Sequence, residues 1–139
     1  MTFSQSINSV FSKYATFSGR ASRSEYWWFV VLNILISVVV YGLACSSMPP
    51  VDTTVITEPG GYYMAVMDAI PGWAYTVMSI YSLAILLPSL AVAVRRLHDT
   101  GRGGGWIFIN LVPIIGGIWY FILTVLPSQP GPNRFGEEP

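Results

Sequence analysis

An all-α membrane protein with three transmembrane helices is the fold class this sequence predicts, and three observations predict it. Only 10% of the 139 residues are charged while 53% are hydrophobic, whereas a soluble domain carries about a quarter of its residues as charges. Mean hydropathy is correspondingly high, at +0.54. Three apolar stretches, 27–48, 73–94 and 106–126, contain none of the seven basic and seven acidic side chains. Each runs for roughly 20 residues, which at about 1.5 Å per residue matches the ~30 Å hydrocarbon core of a bilayer.

The N-terminal segment is of another kind. Phe3, Ile7, Val10, Phe11, Tyr14 and Phe17 recur at three- and four-residue spacing, with Ser4, Gln5, Asn8, Ser9, Ser12 and Lys13 opposite them. This predicts an amphipathic helix over 3–17, too polar to span and suited to the membrane interface or to a groove on the protein's own inner face. Ser22 and Glu25 have the spacing of a capping box, which starts the first span near Arg23 and makes Tyr26, Trp27 and Trp28 its interfacial belt. Phe29, Val30, Val31, Leu32, Ile34, Leu35 and Ile36 follow without a charge, so this span inserts unaided. Pro49-Pro50 ends it, because neither residue offers an N–H and each ring crowds a preceding carbonyl. Gly42-Leu43-Ala44-Cys45 has some likeness to a lipoprotein cleavage box, but the polar segment before the span is far longer than a signal peptide's. The span is therefore read as retained.

The second span is diluted by Ser79, Ser82, Pro88 and Ser89, and the third carries Pro113, Gly116 and Gly117 at mid-depth. Two readings of that break stand side by side: a kinked helix whose neighbours satisfy the freed backbone groups, or a re-entrant hairpin. The tail, 127–139, has too many prolines and glycines for a helix and is expected to be extended. The loop 49–72 contains Asp52, Glu58 and Asp68 but no Lys or Arg. Lys13, Arg20, Arg23, Arg95, Arg96 and Arg102 lie on one side of a three-span topology and only Arg134 on the other. The positive-inside rule then makes the N-terminus and second loop cytoplasmic, and a third crossing puts the tail outside.

The densest polar cluster is Arg95-Arg96-Leu97-His98-Asp99-Thr100-Gly101-Arg102, at the cytoplasmic end of the second span. One reading is structural: cations in the last turn meet the negative end of the helix dipole, Gly101 caps the helix, and the arginines pair with Glu25 or Asp99. The other is that Arg20, Arg23, Arg95, Arg96 and Arg102 hold an anionic lipid headgroup or a protein partner, since guanidinium groups bind phosphate bidentately. His98 beside Asp99 suggests acid–base chemistry, yet neighbours on a helix point in different directions, and no nucleophile motif or metal-ligand spacing accompanies them. The single cysteine, Cys45, excludes an intramolecular disulfide. Zero net charge gives no bulk attraction to nucleic acid. Asn33 and Asn110 are the polar side chains that would line a path in a small transporter or channel component, although the spans hold no carboxylate for ion coupling. No cofactor is expected. A non-enzymatic membrane protein, self-associating or bound to a membrane partner, is the preferred class.

Three stretches together carry a resemblance: Phe17-Ser18-Gly19-Arg20-Ala21-Ser22-Arg23-Ser24-Glu25-Tyr26-Trp27, then Arg95 to Arg102, then Pro130-Gly131-Pro132-Asn133-Arg134-Phe135-Gly136. In that order, with apolar spans between, the sequence resembles the small bacterial inner-membrane family called domain of unknown function 805. The likeness covers nearly all of the chain from Phe17 onward. Gly104 and Gly105 stand where members of that family often have a bulkier residue, and the loop 49–72 is longer than in shorter members. The resemblance implies a bacterial cytoplasmic-membrane protein and no activity. It also bears on topology: if the three motifs form one site, with Asn133 and Arg134 in it, the tail must reach the cytoplasmic face.

Overall fold

The computed structural model describes residues 1–50 and 60–139, so the expectations for Asp52 and Glu58 lie outside the described residues. The described residues are helical: α1 Phe3–Ser12, α2 Arg23–Ser46, α3 Gly61–Ala69, α4 Gly72–Asp99, a 3₁₀ segment Gly104–Leu111, and α5 Ile115–Val125. Among them the only β pairing is an isolated bridge between Asn133 and Gly136. The chain forms two compact units, Met1–Leu32 with Ile85–Pro139, and Asn33–Ala84. Two helices, α2 and α4, are long and apolar enough to cross a membrane, at 24 and 28 residues, and α5 is a shorter apolar helix of 11.

In the larger unit, α1 begins with a complete capping box in which Thr2 accepts from the Gln5 amide and Gln5 accepts from the Thr2 amide. It packs inward. Val10 is fully buried with Ala21, Phe29 and Val92, and Ile7 lies against the same cluster. Phe3 meets Trp28 and Phe11 meets Phe29 edge to face, at centroid distances of 5.6 and 6.2 Å. α2 starts at Arg23 with the Ser22 hydroxyl accepting from the Glu25 amide at 3.2 Å. Only that half of the expected capping box forms with a side chain facing its own helix, because the Glu25 carboxylate turns to α4 instead.

The stretch 106–126, expected as a third membrane-spanning helix, is not one helix. The 3₁₀ segment and α5 are the two arms of a hairpin packed on each other. The tip is a tight turn in which the Ile115 amide donates to the Pro113 carbonyl at 2.7 Å, and Ile114 is held at φ 64° and ψ −63°. A β-branched residue with positive φ is a rare and strained conformation. The arms meet so closely at Gly116 that a Cβ there would lie 1.9 Å from the Ile109 carbonyl oxygen. The mid-depth proline and glycines thus serve a reversal of direction rather than a kink.

The smaller unit holds the C-terminal part of α2, the N-terminal part of α4 and the helix α3, which lies within the stretch 49–72 expected to be a loop. In this unit the Tyr81 hydroxyl donates to the Asn33 side-chain carbonyl at 2.7 Å, and the Tyr75 hydroxyl donates to the Met67 carbonyl at 3.1 Å.

Candidate functional site

The buried charged residues of the larger unit converge at the junction of the loop before α2 and that helix's first turn, the end of α4 and the tail. Arg20, Glu25, Arg95, Arg96 and Asp99 are each no more than 5% exposed. Charges that deep persist only when paired and hydrogen-bonded. Asp99 is the hub. One carboxylate oxygen accepts from the Arg20 Nε at 3.0 Å, and the other accepts from the Ser128 hydroxyl at 2.6 Å and from the Arg96 Nη1. The Arg95 Nη1 donates to the Glu25 Oε1 at 2.6 Å.

The local sequence explains how α4 brings this about. Arg95 and Arg96 sit in its last turns, and Arg96 reaches Asp99 across one turn. The helix then stops on a Schellman motif: the Arg102 amide donates to the Leu97 carbonyl and the Gly101 amide to that of His98. Gly101 takes φ +75°, and a Cβ there would meet the Gln129 side-chain oxygen at 2.6 Å. The backbone conformation requires glycine, whereas the Gln129 oxygen is the end of a flexible side chain that can move aside.

Arg96 is the second hub. Its Nε donates to the Thr124 carbonyl at 3.0 Å, its Nη2 donates to the Leu126 carbonyl, and its Nη1 also reaches the Ala21 carbonyl at 3.3 Å. A cation therefore caps the carbonyl end of α5, where the helix dipole is negative. Trp27, expected only as part of an interfacial belt, adds an indole N–H to the Thr124 carbonyl at 3.4 Å and stacks edge-on against Phe121. These contacts return the hairpin's second arm to the end of α4 from which the first arm departs.

The tail is then strapped across the same place. The Arg20 guanidinium donates to the Gly131 and Gln129 carbonyls, both at 2.6 Å, and the Gln129 amide donates to the Asp99 backbone carbonyl at 2.9 Å. Asn133 donates to the His98 carbonyl at 3.0 Å. The Phe135 ring stacks on the His98 imidazole at 3.8 Å with an interplanar angle of 3°, and Arg134 lies over Phe135 at 4.6 Å. The His98 Nδ1 faces the Gly19 carbonyl at 3.1 Å, and a carbonyl only accepts, so Nδ1 carries the proton.

Of the residues singled out from the sequence, Arg20, Glu25, Arg95, Arg96 and Asp99 are brought together in this buried knot. His98 and Asn133 flank it through the tail contacts. Arg23 and Arg134 are exposed and Arg102 is half-buried, so these three face outward. His98 and Asp99 are each engaged by other groups, Asp99 by two guanidiniums and a hydroxyl. Asn110 bonds within its own 3₁₀ segment, to the Ile107 carbonyl at 3.0 Å. Ser128 and Gln129 were missed by sequence reasoning. Their only signal is adjacency to the Pro-Gly-Pro-Asn-Arg-Phe-Gly run.

A family model described as "Protein of unknown function (DUF805)" matches residues 14–137. That range takes in the whole knot and the strap. The chain is similar to the Escherichia coli K12 protein named "Inner membrane protein YhaI", with 33% identity over 132 residues covering 94% of this chain and 92% of the relative. It is also similar to "Inner membrane protein YhaH" of the same strain, with 31% identity over 135 residues and the same coverage of each. A more distant likeness, at 26% identity, covers 81% of this chain and 60% of "Uncharacterized protein YiiR". No solved structure matches the chain.

Proposed function

Starting from the fact that this chain belongs to the DUF805 family and is an integral membrane protein, we infer that it crosses the cytoplasmic membrane twice. The crossings are α2 and α4, and the hairpin 104–126 enters the membrane and returns without crossing. The N-terminus, the end of α4 and the tail then share the cytoplasmic side, and α3 with Asp68 faces outward. The observation that carries this reading is the docking of the tail on Arg20 and Asp99. With Arg134 at that end, all seven Lys and Arg residues of the chain lie on one side, where a three-span topology leaves one astray.

In function, the knot fastens this face, and the cations it leaves outside make an anionic-lipid contact. Arg23, Arg134 and Lys13 are exposed and Arg102 half-buried. Each basic residue held near an anionic leaflet contributes about 1 kcal/mol. Replacing Arg23, Arg102 and Arg134 together by Gln should lower the enrichment of phosphatidylglycerol over neutral lipid around the protein by about an order of magnitude or more. Mass spectrometry of lipid retained by purified protein measures this. Equal enrichment in the variant and the parent would refute lipid contact by this rim.

The topology has its own test. Cys45 is exposed and lies near the end of α2, about 33 Å along the helix from Arg23. A membrane-impermeant maleimide should label it on intact cells. Glu137→Cys in a Cys45→Ser background should react only after the membrane is opened. Labelling of that residue from outside would restore the third crossing.

A further inference from the structure

The charges of the knot do not balance. Arg20, Arg95 and Arg96 face two carboxylates, Glu25 and Asp99, all within the buried set. Arg20 and Arg96 use their donors on Asp99 and on backbone carbonyls. Arg95 does not. Its Nη1 is bound to Glu25, while its Nε and Nη2 are buried with no hydrogen-bond partner. Those two N–H groups form one edge of the guanidinium, the parallel fork that meets two oxygens of a carboxylate or phosphate side on. An uncompensated edge in a residue 1% exposed is costly, since a buried donor without an acceptor loses the hydration it had in the unfolded chain.

A second buried polar atom is unpartnered, the Ser6 hydroxyl of α1. Ser6 lies one turn before Val10, and Arg95 lies one turn after Val92. Val10 and Val92 belong to the same apolar cluster. The two orphaned groups are therefore each one turn from a member of one apolar cluster to which both α1 and α4 contribute. α1 is a separate short helix, held over this region by apolar and edge-to-face ring contacts and by a 3.3 Å bond from the terminal ammonium to the Ser24 hydroxyl.

We propose that the Nε/Nη2 edge of Arg95 is the binding site of one singly charged oxyanion of the phosphate class, which brings the knot's three arginines and two carboxylates to neutrality. A phosphodiester in a lipid headgroup and dihydrogen phosphate share this chemistry. The site is separate from the exposed rim of Arg23, Arg102 and Arg134, and α1 must shift to admit the ligand.

The full chain, purified into phosphatidylcholine nanodiscs at low salt, is titrated with sodium phosphate against sodium chloride, and a second preparation carries phosphatidylglycerol in the disc. Thermal stability and hydrogen exchange of the α1 amides are followed in both. A rise in melting temperature and altered α1 exchange with inorganic phosphate, absent with chloride, identifies a free oxyanion. The same response only with phosphatidylglycerol identifies the lipid headgroup. No response in either arm overturns the site. Arg95→Lys keeps the charge beside Glu25 but lacks the fork, and should weaken the response at least tenfold. Glu25→Gln keeps an acceptor for Nη1 and raises the positive excess, and should strengthen it. An unchanged response in both variants also overturns the site. The triple Gln variant of the rim should leave this response intact, which separates its failure from failure of the lipid-contact reading.

Discussion

Asp99→Asn should cost about 3–5 kcal/mol of stability, the range seen when one member of a buried ion pair is removed and its partner stays charged. The side chain is fully buried and accepts from Arg20, Arg96 and Ser128 at once. An amide supplies one acceptor oxygen where the carboxylate supplies two. Its N–H groups would be turned toward a guanidinium, which is itself only a donor. Two cations lose their counter-ion together, and the strap loses Ser128 as well as the alignment of Arg20 on the Gly131 and Gln129 carbonyls. The loss should appear in denaturant titration of the detergent-solubilised protein. It should also appear as faster tryptic cleavage at Arg134, which the docked tail presents over Phe135. Glu137→Gln, an exposed carboxylate, is the control and should fall within about 0.5 kcal/mol of the parent. An Asp99→Asn variant as stable as that control would mean that the knot does not fasten the tail.

The second large effect is expected at the hairpin. Gly116→Ala would place a methyl group 1.9 Å from the Ile109 carbonyl oxygen. Because the obstacle is backbone, no rotamer change relieves it and the arms must separate. Overpacking of this kind costs about 1–3 kcal/mol, and the better helix propensity of Ala returns at most about 1 kcal/mol. Displacement of α5 also pulls the Thr124 and Leu126 carbonyls away from Arg96, so the damage reaches the knot. Gly117→Ala meets nothing within 4 Å and should be neutral or slightly stabilising. The comparison of these adjacent substitutions by thermal unfolding is sharp because their chemistry is identical. Equal stabilities would contradict the close packing of the two arms.

Much of this protein was legible in its residues because lipid as a solvent imposes strong, local demands. A charge-free run of about 20 apolar residues has few alternatives to a helix, and α2 and α4 answer that description. Ser22 at the start of α2 and Gly101 at the end of α4 were legible for the same reason: a helix terminus leaves backbone groups that only a few residue types can satisfy. The pairing of the arginines with Glu25 and Asp99 was among the readings open from the sequence, since like charges crowded at one helix end require counter-ions. The helix α3 was not seen, as a nine-residue segment between two turns gives too little periodicity to separate it from loop.

The sequence by itself thus determined two long apolar helices, the clustering of cations at one end of them, and the residue types that could neutralise those cations. Tertiary structure decided the rest. Pro113, Gly116 and Gly117 permit a kink and a reversal equally, because each merely removes a constraint on the backbone. What selects the reversal is the set of partners waiting at its end: Arg96 for the last carbonyls of α5, then Arg20 and Asp99 for the tail. Those bonds join residues 28 to 111 positions apart. Their free energy comes from neutralising buried charge, a quantity that no local pattern in the chain encodes.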